Sequence, residues 1–202
     1  QPRAKNLLKK YLFLYHLGQN KKSMENLRQA MRQMIDISEQ ELEVFLGKTF
    51  SKTFKRQEIL SSPGTVPNEI FFIVKGIVRV VVTDHAGTEH TVHFAMENQF
   101  IADYTSFLTD KDSIYTLQAL EETTVAVLPR EAVYWGYENL KEGQKMGRLI
   151  AEFYFVYQDT RVRNMYSRTS KERYDSISEV FPGIHNRVPQ HMIASYLGIT
   201  PV

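Results

Sequence analysis

The sequence predicts an α+β protein, an antiparallel β-barrel or sandwich set between helical segments. Three observations predict it. Between residues 50 and 129, short β-branched and aromatic runs alternate with turn residues. Further on, Met146, Leu149, Phe153, Val156 and Thr160 follow a heptad spacing. The chain then closes on VPQHMIASYLGITPV, residues 188–202, where a short apolar helix meets a glycine and a Thr-Pro pair.

Bulk properties set limits. The 202 residues suit one large domain or two small ones. With no cysteine, disulfides, thiolate metal sites and Cys nucleophiles are excluded, and a reducing, cytoplasmic setting fits. A net charge of +2 is far from a polycation, so a nucleic-acid face must be a local patch. No apolar run is long enough to span a bilayer. Residues 1–23 form a basic N-terminal extension. Arg3, Lys5, Lys9, Lys10, Lys21 and Lys22 stand there without an acid, and Leu7, Leu8, Tyr11, Leu12 and Tyr15 recur at helical spacing. Three readings stay open: an amphipathic helix on an anionic membrane, a helix packed on protein, or an extension upstream of a start at Met24.

Residues 24–140 are expected to form the β-domain with flanking helices. Leu27, Met31, Met34 and Ile35 mark a first helix. Ser38 and Glu41 form a capping box, Ile37 and Leu42 a hydrophobic staple, and Gly47 ends the second helix after Leu46. EIFFIVKG reads as a strand ending at Gly76. Val78, Val80 and Val82 alternate with Arg79 and Thr83, so one face is buried and Arg79 lies on the other. Asp84 to Gly87, DHAG, is a hairpin turn, and Val92, Phe94 and Met96 return as the inner face. Residues 113–129 hold two more strands.

Residues 141–169 follow as one long helix. FYFVY, residues 153–157, is apolar on every side, so the helix buries one face on its own domain and another on a partner. A symmetric homodimer through Met146, Leu149, Phe153, Val156 and Thr160 is the simplest solution. Tyr154, Tyr157 and Arg161 are placed to reach from it into the β-domain. Residues 170–202 open with a helix over Ser170 to Val180, stopped by FPG.

In the closing motif, Ile193 and Leu197 form a core face, Ala194 is small where a second helix crosses, and Gly198 supplies the turn before Ile199. Thr200 is an N-cap and Pro201 suits the first helical position. This is the start of a helix-turn-helix whose recognition helix is missing. Backbone N–H groups from Val188 to Gln190, the Gln190 side chain and Thr200 are the expected phosphate contacts. RVRNMYSRTSKER, residues 161–173, is either a basic surface near DNA or a solvated helix end.

Other chemistry finds little support. His90, His93 and Glu97 suggest a metal site, but residues three apart on a strand face opposite sides. His90 shares the parity of Val92 and Phe94, so it is the histidine expected to face the pocket, neutral and hydrogen-bonded. No Ser/His/Asp arrangement and no Gly-rich phosphate loop is present, so no enzyme, metal or cofactor is expected.

QEILSSPGTVPNEIFFIVKGIVRVVV, with Gly64 and Gly76 at its turns, and QHMIASYLGIT together resemble the catabolite-activator/fumarate-nitrate regulator family. The resemblance spans roughly residues 42–202. It implies a cyclic-nucleotide-binding β-roll (an antiparallel double-stranded β-helix), a long dimerisation helix and a winged helix-turn-helix. It implies double-stranded DNA, a second copy of the chain, RNA polymerase and an unidentified small-molecule effector as partners. Cyclic-nucleotide binders of the family carry Gly-Glu for the ribose and Arg-Ser or Arg-Thr for the phosphate. Here Ala102-Asp103 and Ser113-Ile114 stand at those positions, and the arginine is absent. Losing one partner of a buried charge pair costs about 3–5 kcal/mol, roughly two to four decades of affinity. The expected effector pocket, Ala102, Asp103, Ser113, Ile114 and Tyr157, is therefore one that does not take cyclic AMP. Two alternatives remain: a constitutive DNA binder using the roll as a dimer scaffold, and a small-molecule sensor or cupin-like protein without DNA binding.

Overall fold

The computed structural model describes residues 23–199. The basic segment and Thr200 lie outside the described residues. Two four-stranded antiparallel sheets face one another. The first orders its strands β1 (Phe50–Phe54), β8 (Thr123–Pro129), β3 (Glu69–Lys75) and β6 (Phe100–Ile101). The second orders β2 (Ile59–Ser61), β7 (Tyr115–Ala119), β4 (Val78–Thr83) and β5 (Glu89–Ala95). Apart from the β4–β5 hairpin, strands adjacent in sequence thus fall in different sheets, which is a jelly-roll-like arrangement. Phe54, Phe71, Ile73, Val78, Leu117 and Val125 fill the space between the sheets.

Helices cover both outer faces. On the first sheet lie α1 (Ser23–Met34), α2 (Glu39–Leu46), α4 (Arg130–Asn139) and the first turns of α5 (Gly143–Ser167). Helix α1 turns Leu27, Ala30, Met31 and Met34 inward, the three-four spacing of an amphipathic helix. The Ser38–Glu41 capping box starts α2, and Arg28 ties the two helices together through Glu39 and Glu43. Strand β3 is apolar from Ile70 to Val74 because both its faces are buried: Phe71 and Ile73 point into the roll, and Ile70 and Phe72 meet the helices. Gly76 ends this strand at φ +109°, where a Cβ would lie 2.4 Å from Thr123 Oγ1, so only glycine fits.

The second sheet carries the C-terminal segment: α6 (Ser170–Val180), a 3₁₀ turn (Ile184–Asn186) and α7 (Gln190–Leu197). Their apolar side chains join Ile77, Phe94 and Met96 in a separate core. Gly198, left-handed at φ +64°, closes α7. The helix over Ser170–Val180 is as the sequence predicts, with an additional capping box from Thr169 and Glu172.

The returning strand departs from expectation. Val80 pairs with His93 but Val81 pairs with Thr91, so Val92 is an extra residue in the ladder. This bulge inverts the inside-outside alternation. Val92 and Ala95 face the roll interior, whereas Phe94 and Met96 face the C-terminal helices. Arg79 is on the outer face as its parity requires, yet it is only 4% exposed, held by Thr91 (2.8 Å) and Glu89 (2.8 Å).

Candidate functional site

The segment expected to hold an effector's phosphate and ribose is built from local capping interactions. Asp103 caps the short helix α3 (Tyr104–Thr109), its Oδ1 accepting the Ser106 N–H at 3.1 Å. Its Oδ2 is buried, with no hydrogen-bond partner among the described residues. Ala102 is buried among the helices on the first sheet. The Ser113 N–H donates to the Thr65 carbonyl (2.9 Å), its carbonyl accepts the Gly64 N–H (2.8 Å), and its hydroxyl accepts the Tyr115 N–H (3.0 Å). Ser113 is thus clipped to the Pro63-Gly64 turn with its hydrogen bonds committed. Ile114 is 62% exposed.

Nearby cations are engaged elsewhere. Arg79 sits on the outer face of the roll, as above. Arg130 binds Asp110 (2.8 Å) and the Pro67 carbonyl (2.8 Å) and lies over the Phe107 ring. Lys111 is exposed.

Tyr157 is not with the other four expected pocket residues. It lies outside the roll, where its hydroxyl is hydrogen-bonded to His93 Nδ1 (3.0 Å) and to the Tyr196 hydroxyl (2.6 Å). The histidine of this chain of contacts is His93, not His90. His90 is exposed and meets Asp84 across the hairpin at 2.7 Å. The bulge at Val92 is the reason, because it turns His93 toward α5. Burial first, and then the positive charge of Arg161, push the His93 pKa down to about 3. His93 is therefore neutral at pH 7. Burial raises the Tyr157 phenol far above its usual range, so it stays protonated. Among the described residues, no group of three His, Asp or Glu side chains is placed to hold a metal ion.

The same contacts fix α7 to the rest of the chain. Thr91 N–H donates to Ser195 Oγ (2.9 Å), Arg161 to the Tyr196 carbonyl (3.0 Å), and Arg173 to the Leu197 carbonyl (3.0 Å). Arg187 spans Glu97 (2.7 Å) and Glu121 (2.5 Å), which stand in the turns after β5 and β7. Sequence reasoning missed Arg187, since nothing local marks it. The basic run 161–173 is largely committed: Arg163 pairs with Asp159 and Lys171 with Asp175, while Arg161 and Arg173 bind carbonyls.

Of the expected phosphate contacts, Val188 is withdrawn. It is buried and its N–H is bonded to the Ile184 carbonyl at 2.9 Å, because the 3₁₀ turn runs straight into it. Gln190 is exposed at the first turn of α7 and accepts from the Tyr174 hydroxyl (3.3 Å). Ala194 is buried, and Ile199 N–H returns to its carbonyl at 3.0 Å, closing the Gly198 turn. Thr200 lies outside the described residues.

On α5, Met146 is buried in the chain's own core, Leu149 packs against that core, and Phe153 stacks on Tyr157 at 6.2 Å. Val156 and Thr160 are partly buried. The apolar stripe left outward is Phe155 (74% exposed), Val162 (49%) and Tyr166 (89%). Their spacing of seven and four places them on one helix face. The predicted stripe faces inward because the roll and the C-terminal core compete for it first.

These features can be set beside known proteins. Residues 51–139 match the family model of the cyclic nucleotide-binding domain. The matched residues are those of the roll and of helix α4. No curated protein matches the chain at a significant level. Among solved structures, the c-di-GMP-responsive global regulator CLP of Xanthomonas campestris is 12% identical, with a TM-score of 0.60 over 81% of this chain and 86% of its own. The catabolite activator protein of Thermus thermophilus is 14% identical, with a TM-score of 0.54 over 81% of this chain and 78% of its own. Cyclic AMP-bound PfPKA-R is 16% identical at a TM-score of 0.50. It covers 57% of this chain, which spans only 42% of that structure. At these identities the likeness is one of fold. Beyond the cyclic nucleotide-binding domain it extends into the helices that follow. Among the described residues, no helix is long and apolar enough to cross a membrane.

Proposed function

We propose that the chain is a homodimeric, sequence-specific DNA-binding transcription regulator of the cytoplasm with an effector-sensing roll, acting with RNA polymerase and without catalysis. The observation that carries this reading is the order of parts. A cyclic nucleotide-binding domain leads into a 25-residue helix with an exposed apolar stripe, and then into a short helix ended by a left-handed glycine. That glycine and the small Ala194 are what a helix-turn-helix needs at its corner. The effector would bias the tilt of α7 relative to α5, and so whether two recognition helices meet half-sites one helical turn apart.

DNA binding is tested on protein that includes the chain from Thr200 onward. Retention on random duplex should fall steeply between about 50 and about 200 mM salt. Retention that ignores salt, or none at any salt, overturns the reading.

The dimer is proposed to form through Phe155, Val162 and Tyr166. Sedimentation should give twice the chain mass, and Phe155→Glu should return the monomer, since a buried unpaired carboxylate is costly. An unchanged mass in that variant rejects this face.

Cyclic AMP is proposed not to be the effector. Ser113-Ile114 offers no guanidinium, Arg79 and Arg130 are engaged elsewhere, and the interior of the roll is apolar. Melting with millimolar cyclic AMP or cyclic GMP should leave the midpoint in place. A rise of several degrees would mean that other groups hold the phosphate. The apolar interior equally supports a second reading, in which the roll serves only as a scaffold for the dimer.

A further inference from the structure

A cavity of about 170 Å³ lies between the outer face of the roll, α5, α6 and α7. Asp103, Ser113 and the apolar side chains that fill the roll are not among its walls. Its walls are mostly apolar, with Phe153, Ile177, Val180, Phe181 and Leu197 among them. A dry cavity of about 150 Å³ with such walls takes a benzene ring, so this one has room for a six-membered ring and a small polar head.

Two guanidiniums line it. Arg161 has no carboxylate partner among the described residues. One of its amino groups donates to the Tyr196 carbonyl (3.0 Å), its plane lies 4.8 Å over the Tyr196 ring, and its Nε is buried without an acceptor. Arg173 is bonded to carbonyl oxygens alone. Glu179 is the carboxylate on the wall. Two guanidiniums against one carboxylate leave a single positive charge to match, and a guanidinium pairs best with a planar, two-oxygen anion.

We propose that this cavity is a ligand site for a small monocarboxylate with an aromatic or medium-chain apolar body. The carboxylate would accept from Arg161, and the body would lie against Ile177, Phe181 and Leu197. Such a ligand touches α5, α6 and α7 at once. It would therefore hold the C-terminal helices in one orientation on the long helix, whatever the roll binds.

The site is tested by calorimetry on the protein alone, so the outcome does not depend on DNA binding. The probes are phenylacetate, hexanoate and the neutral phenylacetamide. At least one carboxylate should bind one per chain with Kd below about 1 mM, with phenylacetamide about tenfold weaker than phenylacetate. Arg161→Gln should cost the carboxylate about tenfold and leave the amide unchanged. Thr160→Trp, at a partly buried wall position, should fill the cavity and abolish binding of both; it serves as the test should Arg161→Gln not fold. Hydrogen exchange in α6 and α7 should slow on binding. If neither carboxylate binds up to millimolar concentration, the proposal falls. It falls equally if binding persists unchanged in the variants, or if exchange slows only elsewhere.

Discussion

Below pH 6.5 the protein is expected to lose stability at about 1.4 kcal/mol per pH unit through His93 alone. The His93 pKa is pushed from its ordinary 6.5 down to about 3 in the folded chain. Between those values the unfolded chain binds a proton that the folded chain refuses. Stability is therefore complete above pH 6.5 and is lost as the pH falls toward 3. The loss is about 2 kcal/mol at pH 5 and roughly 5 kcal/mol over the whole window. The cause lies in the packing. The His93 ring contacts the rings of Tyr154 (5.8 Å), Tyr157 (4.8 Å) and Phe181 (6.1 Å), and the charge that acts on it is that of Arg161. His93→Gln can keep a bond to the Tyr157 hydroxyl but cannot titrate. Urea melts at pH 7.5 and pH 5.0 should show the variant less stable at the higher pH and less sensitive to the change. If both proteins lose the same stability between the two pH values, His93 does not control it.

Arg187→Met is expected to cost about 2–3 kcal/mol and to loosen the C-terminal helices from the roll. Breaking a fully buried ion pair costs about 3–5 kcal/mol, and here the three side chains keep about a quarter to a third of their exposure, so the cost falls just below that scale. Removing Arg187 also leaves Glu97 and Glu121 facing each other. Burial pushes the Glu97 pKa up, but the Arg187 hydrogen bonds and the Gly76 N–H outweigh it and hold the carboxyl below its usual range. Without the guanidinium that balance reverses. The double variant Arg187→Met/Glu121→Gln should accordingly be more stable than Arg187→Met alone. Denaturant melts of the two decide it, and equal or lower stability in the double variant would mean that the two glutamates do not repel. Hydrogen exchange should also rise in α6 and α7 before it rises in the sheets.

The β-roll and its helices were legible in the sequence because their signals are local. Val78, Val80 and Val82 recur with a period of two, Asp84 to Gly87 turn the hairpin, and Ser38 with Glu41 and Gly47 bound a helix. The candidate sites were less legible. The pairing of His93 rather than His90 with Tyr157 depends on one extra residue in β5, and a bulge carries no reliable sequence mark. The face of α5 that turns outward was misjudged for a related reason. Phe153 and Phe155 are equally apolar in sequence, and only the surfaces competing for them distinguish the two.

The sequence by itself determined the helices over Glu39–Leu46 and Ser170–Val180, the Asp84–Gly87 hairpin, the Gly198 turn and the absence of an arginine at Ser113-Ile114, since each rests on residues within one element or turn. Tertiary structure alone decided that Arg187 joins Glu97 and Glu121, that Arg79 is buried, that His93 is neutral and that Arg161, beside a cavity, has no carboxylate partner among the described residues. Those properties depend on the field and volume made by elements up to about a hundred residues apart in the chain, for which a local pattern carries no information.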